Sequence, residues 1–170
     1  MSGNIELLYA GSASPTFTSL NTLAASATFV AGACCAAISN TIDLDFVVGG
    51  LIKWSSVAPT AGNQLFCYVW GSINDTPTYP QDGSGNNLGA DGAITFASTT
   101  DRDNAVNYAG QIVLTATANK VYTLKPFSLL QALGFIPNKW GLWMTHNASG
   151  GTPITSGSTI SYTPQLGQYT

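Results

Sequence analysis

A chain of 170 residues with 45% hydrophobic residues and a mean hydropathy of +0.17 is long enough to bury a proper core in one domain, which excludes a disordered tail. Charged residues make up only 8%, and the twenty threonines outnumber the five Lys and Arg four to one. Thr, Val, Ile and aromatics suit pleated strands, whereas helical surfaces are dressed with Glu, Lys and Arg, so the composition predicts an all-β fold. A net charge of −3 and a pI of about 4.6 argue against a phosphate-binding surface, and no nucleic-acid partner is expected.

In chain order, residues 1–23 are rich in Ser, Thr, Gly and Pro around one apolar cluster, Ile5 to Tyr9. Such a segment buries little alone, so it reads as an arm or first strand that docks on the domain or on a neighbouring molecule, with Ile5, Leu7, Leu8 and Tyr9 as candidate interface residues. The start Met1 to Glu6 lacks a basic stretch followed by a long apolar one, so no secretory leader is expected in the chain as given, and cytosolic synthesis fits. Ala24 to Ile38 is weakly polar but is interrupted by Ser26, Thr28 and Gly32, and it falls short of the roughly 20 apolar residues of a membrane span. Cys34, Cys35 and Cys67 lack any CxxC spacing and read as buried reduced thiols.

Residues 24–170 read as one β-sandwich domain. Ile42, Leu44, Phe46 and Val48 alternate with Asp43 and Asp45 at the two-residue period of a half-buried strand, Gly49-Gly50 permits a bulge, and Leu51 to Trp54 resumes. After a Pro/Gly turn, Leu65 to Trp70 returns as an apolar central strand. The polar stretch Asn74 to Gly92 reads as a long loop, functional or mobile. Strands are predicted at Ala93–Ala97, Gln111–Ala116, Lys120–Leu124, Trp140–Thr145 and Thr159–Tyr162. One short helix is predicted at Ser128-Leu129-Leu130-Gln131, a capping-box pattern closed by Gly134 and ended by Pro137. Seven to nine short strands without a βαβ rhythm predict a two-sheet antiparallel β-sandwich, jelly-roll-like.

Few residues suggest chemistry. His146, the single histidine, sits at a strand end without a nucleophile motif and reads as a surface or hydrogen-bonded loop residue. Asp43 and Asp45 on one strand face would hold carboxylates roughly 7 Å apart, the spacing an inverting glycosidase uses, although such a pair is more simply a solvent face. Asp82-Gly83-Ser84-Gly85-Asn86 with Asp91 would suit a loose calcium loop, but Asn87 and Ala93 break the EF-hand pattern. Asp101-Arg102-Asp103 reads as a polar turn with a local ion pair. No catalytic residue, cofactor or metal is expected. Trp140 and Trp143 have opposite strand parity, so at least one faces outward; an outward Trp on a low-charge surface suggests an interface or a sugar platform.

The strand Ile42–Trp54 closing on Ala58-Pro59-Thr60, the apolar Leu65–Trp70 with Gly71-Ser72, the Gly-rich loop, Lys120–Leu124, and Pro137–Leu142 with His146–Gly150 together carry a resemblance. Over roughly residues 42–164 the chain resembles small virion structural proteins of tailed bacteriophages. The resemblance implies a β-sandwich subunit on the particle exterior, either a head decoration or cement protein clamping capsid subunits, or a tail or head-fibre component. It implies no catalytic residues. The expected partners are the major capsid protein or other virion proteins and further copies of the chain, as a trimer. A second expectation is a receptor- or glycan-binding head that stacks on Trp54, Tyr79 or Trp143; a third is a polysaccharide-acting enzyme working through Asp43 and Asp45.

Overall fold

Alternating apolar residues on β-forming segments require two sheets that bury facing sides, and the computed structural model has ten strands in that arrangement. It describes residues 5–74, 80–83, 85 and 87–169; of Ile5, Thr155, Gln168 and Tyr169 it describes the backbone. The strands are β1 (Ile5–Tyr9), β2 (Ala31–Cys34), β3 (Ile38–Ser39), β4 (Asp45–Trp54), β5 (Gln64–Ser72), β6 (Gly92–Thr95), β7 (Asn107–Val113), β8 (Val121–Ser128), β9 (Lys139–His146) and β10 (Pro153–Tyr169). The first sheet runs β1-β10-β4-β8 and the second β6-β2-β9-β5-β7, with β3 also on β9. Every strand-to-strand pairing is antiparallel.

Leaving out the short β3 and β6, the remaining eight strands pair first with eighth, second with seventh, third with sixth and fourth with fifth. This is the pattern of one long hairpin rolled so that successive rungs alternate between sheets, which is the jelly roll. The fold class read from the sequence therefore holds. The core between the sheets includes Phe46, Val48, Ile52 and Trp54 of β4, Leu65, Cys67 and Val69 of β5, and Trp140, Leu142 and Met144 of β9. Phe17, Leu20 and Leu23 belong to the same core, so the 3-10 turn Thr18–Thr22 packs as part of the sandwich.

Helical structure exceeds the expected single helix. The predicted one is present as α2 (Leu129–Leu133): Ser128 Oγ accepts from the Gln131 N–H at 3.0 Å, and Gly134 closes the end at φ 78°. A second helix, α1 (Thr99–Ala105), contains the residues read as a polar turn, Asp101-Arg102-Asp103. Ser98 starts it by accepting the Asp101 N–H at 3.1 Å, and its own hydroxyl donates to the Asp101 carboxylate at 2.6 Å. The local ion pair is present, with Arg102 and Asp103 2.7 Å apart.

Sheet two is apolar on both faces, and β9 is buried from Trp140 to His146. Cys34, Tyr68, Trp70 and Trp143 point away from the sandwich interior, where Leu88, Ile94, Phe96 and Val106 cover them as a second core. Outside β6, which belongs to the second sheet, the described residues around Leu88, Phe96 and Val106 thus form a third layer. It is clamped by Arg102, whose Nη1 donates to the Phe29 carbonyl at 3.0 Å while the guanidinium lies 5.2 Å from the centre of the Tyr68 ring.

The predicted kink in β4 falls at the two glycines, where pairing with β8 shifts register between Val48 and Gly50. Gly50 has φ +149°, and a Cβ there would sit 2.0 Å from the Thr159 carbonyl oxygen. Backbone crowding of this kind has no cheap relief. Gly50→Ala is expected to lower unfolding free energy by about 1–3 kcal/mol or more, measured by urea titration against wild type; an unchanged midpoint would contradict the packing described.

Candidate assembly interface

Most groups that suggested chemistry are consumed by the fold. His146 is fully buried rather than at the surface. Its Nδ1 accepts from the Ala148 N–H at 3.1 Å, which leaves the proton on Nε2 to donate to the Leu23 carbonyl at 3.0 Å, while the Trp54 ring meets it edge-on at 5.2 Å. Burial drives its pKa below the ordinary 6.5, although the Leu23 carbonyl favours the charged ring. The neutral imidazole is a strut between the N-terminal segment and β9.

Asp45 is equally committed. Its Oδ1 accepts from the Phe46 and Leu130 N–H groups, both at 2.7 Å, and its Oδ2 from the Ser128 hydroxyl at 2.6 Å, so it ties β4 to the first turn of α2. Asp43 does not share a strand with it: β4 begins at Asp45, because the Asn40 side chain accepts the Asp43 N–H at 2.8 Å and donates to the Asp43 carbonyl at 3.0 Å, turning the chain. Burial pushes the Asp43 carboxyl up. The strand-face pair read from the sequence is therefore corrected.

In the stretch considered for calcium, Asp91 accepts from the Ser19 N–H (3.0 Å), the Ser19 hydroxyl (2.6 Å), the Thr18 N–H (2.9 Å) and the Thr18 hydroxyl. Burial would raise its pKa, but these donors outweigh it and hold the carboxyl below its ordinary value. It caps the 3-10 turn. Asp82 is buried, Ser84 and Asn86 lie outside the described residues, and no group of three or more His, Cys, Asp or Glu gathers among the described residues. The cysteines are buried and free, as expected, and burial pushes the Cys67 thiol up to about 12.

Two of the interface residues read from the sequence are corrected. Trp143 does point outward, as parity required, but the third layer covers it completely; its Nε1 donates to the Ile94 carbonyl at 3.3 Å and its ring packs on Phe96 and Tyr68. Trp54 faces the sandwich core, and its Nε1 donates to the Gly150 carbonyl at 3.1 Å. Tyr79 lies outside the described residues.

The N-terminal candidates fare differently. β1 pairs with β10 from Ile5↔Tyr169 to Tyr9↔Gln165, whereas β4 reaches β10 only as far as Gln165. Residues 5–8 and 166–169 therefore project as a two-stranded ribbon beyond the third strand, and an isolated ribbon of that kind is marginal in water. Leu7 and Tyr9 are 64% and 69% exposed, and Leu8 40%.

The same end of the sandwich carries Ile42 (76% exposed), Leu44, Ile73, Leu130 and Ile136, which sequence reasoning did not single out. Alternation had placed Ile42 and Leu44 in the core, and the Asn40 turn instead leaves them outside β4. Hydrogen bonds lock the loops that bear these residues. The Leu44 N–H donates to the Gln165 carbonyl at 2.8 Å, Asn40 Nδ2 to the Pro137 carbonyl at 3.1 Å, and Asn138 Nδ2 to the Ile73 carbonyl at 2.7 Å. Among the described residues, eight of the thirteen exposed large hydrophobics thus gather at one end. No helix among the described residues is long and apolar enough to cross a membrane. Searches against protein-family models, curated proteins and solved structures find no match for this chain.

Two acid-side outcomes follow from the struts. A histidine whose folded pKa lies below its unfolded one contributes stability that is complete above the unfolded value and is lost as pH falls through it, because the unfolded chain takes up a proton the folded chain refuses. Urea-unfolding free energy is expected to fall from about pH 6.5 downward, by up to ~1.4 kcal/mol per pH unit, and that slope is expected to be absent in His146→Gln. Asp91, also held below its ordinary value, works in the same sense at lower pH: its contribution is present above its ordinary 3.8 and is lost as pH falls below it. Asp91→Ala is expected to speed amide exchange in Thr18–Leu23 at neutral pH; unchanged exchange there would refute its role as cap.

Proposed function

We propose that the protein is a virion structural subunit, a decoration or cement protein that binds and stabilises the exterior of a tailed-phage head. The observation that carries this reading is the apolar end: β1 and the locked loops present Leu7, Tyr9, Ile42 and Ile73 to solvent. A free monomer with so little charge gains nothing from such a face, whereas a subunit held in a lattice buries it. The resemblance of residues 42–164 to small virion proteins supports the same assignment, and the jelly roll is an architecture that capsid proteins use, although many other functions use it too.

On this reading the end face seats on the major capsid protein, and copies of the chain associate as a trimer around it. Binding that exists only for the assembled lattice raises the stability of that lattice by mass action, and symmetry repeats add avidity. The protein acts as a binder rather than an enzyme, in keeping with the structural engagement of His146, Asp45 and Asp91. Synthesis in the host cytoplasm is followed by residence on the particle exterior.

The test is co-sedimentation with expanded phage capsids. Wild-type protein is expected to bind stoichiometrically and to raise the temperature at which capsids break open. Tyr9→Asp combined with Ile42→Asp, both exposed and hence compatible with folding, is expected to weaken binding by about thirtyfold, the equivalent of ~2 kcal/mol at a buried hot spot. Failure of the wild type to bind any capsid, or full binding by the double variant, would overturn the assignment.

A further inference from the structure

Away from the apolar end, a seam between the two sheets has a different character. β7 is the edge of the second sheet and β8 the edge of the first, and a cleft of about 550 Å3 opens between them, lined by Tyr108, Gln111, Thr123 and Lys125 among others. A second depression of about 290 Å3 continues along the seam past Tyr108 to Phe127, Ser128 and Gln131. Tyr108 lines both and is 54% exposed.

That exposure is produced by a specific backbone device. Cys67 pairs with Gly110, but Tyr68 pairs with Tyr108, so Ala109 is an extra residue in β7. In regular register Tyr108 would oppose Val69, whose side chain lies in the sandwich core; the bulge moves it opposite Tyr68, on the outward side. Phe66 and Tyr68 then hold the ring edge-on at centroid distances of 6.0 and 5.9 Å, fixing its plane. A fixed, half-exposed aromatic face flanked by amides and hydroxyls matches what a sugar ring offers: a C–H face to stack and hydroxyls to hydrogen-bond.

The charge is equally selective. Lys125 is exposed, lines the larger depression and forms no ion pair with any described residue, and no carboxylate lines either depression. In a chain of net charge −3 this leaves a cation lining the same depression as the stacking residue. By contrast, a groove of about 340 Å3 between residues 14–21 and Ser158–Ile160 is lined without any charged group.

We infer that the β7–β8 seam is a saccharide site selective for acidic sugars, with Tyr108 as stacking platform, Lys125 as partner of the sugar carboxylate, and Gln111 and Gln131 as hydroxyl-bonding groups. The site is separate from the apolar end and stands or falls independently of capsid binding. The proposal is tested by titrating the 15N-labelled full chain with trigalacturonate and, separately, maltotriose, following backbone amide shifts. Saturable shifts confined to residues 108–113, 123–125 and 127–132 are expected with trigalacturonate, and affinity about tenfold weaker with neutral maltotriose, the loss of one charge-assisted hydrogen bond. Lys125→Gln is expected to bring the two ligands to equal affinity, and Tyr108→Ser to abolish binding of both while amide positions elsewhere stay unchanged. Absence of saturable shifts in the seam with trigalacturonate, equal affinity of the wild type for the two ligands, or unaltered binding by either variant overturns it.

Discussion

A sheet that is apolar on both faces has to be covered twice, and the architecture follows from that constraint. β5 and β9 alternate Leu65, Cys67, Val69, Trp140, Leu142 and Met144 on one side with Tyr68, Trp70 and Trp143 on the other. The first set meets the β1-β10-β4-β8 sheet, and the second is met by Leu88, Ile94, Phe96 and Val106 from the described part of the chain between β5 and β7, held down by Arg102. Aromatic side chains of this size each remove about 150–250 Å2 from water, so leaving that outer row uncovered would cost more than ordering the chain that covers it. Small residues make the fit possible: a Cβ on Gly141 would lie 2.7 Å from the Trp70 ring, and one on Gly32 2.4 Å from the Trp143 ring.

This double covering also determines what remains for function. Both tryptophans of the second core are sealed, the histidine and two aspartates serve as struts and caps, and the apolar side chains left in water collect where the roll ends. The jelly-roll pairing puts the first and last strands side by side in the first sheet, and because β4 stops at Asp45 their ribbon overhangs the end that carries Ile42 and Leu44. The loop half of this face, already tied by Asn40 and Asn138, is offered without further ordering cost, which is what repeated docking to a symmetric lattice favours.

Local chemistry was readable from the sequence where a residue acts through its own neighbours. The Gly49-Gly50 kink, the Ser128 cap with its Gly134 stop, and the strand parity of Trp140 and Trp143 depend on backbone geometry within a few residues. What stayed hidden depends on contacts distant in sequence. Trp143 faces outward as expected, yet Ile94 and Phe96, almost fifty residues away, decide that it is dry. Ile42 and Leu44 continue the alternation of β4, and the Asn40–Asp43 turn that takes them out of the strand, although local, is fixed in place by the bond from Asn40 to the distant Pro137 carbonyl. α1 carried a visible signal, Ser98 three residues before Asp101, that the charged triplet obscured. Of the candidate interface, the sequence exposed the β1 half, whereas the loop half required the fold.

The account centres on the apolar end being covered in the working assembly, and hydrogen–deuterium exchange with mass spectrometry measures that directly on free protein and on protein bound to particles. Slowed exchange in residues 5–9, 42–44 and 165–169 on binding, with the β7–β8 seam unchanged, is the result the account requires. Equal exchange at that end in both states, with protection elsewhere on the molecule, would contradict it.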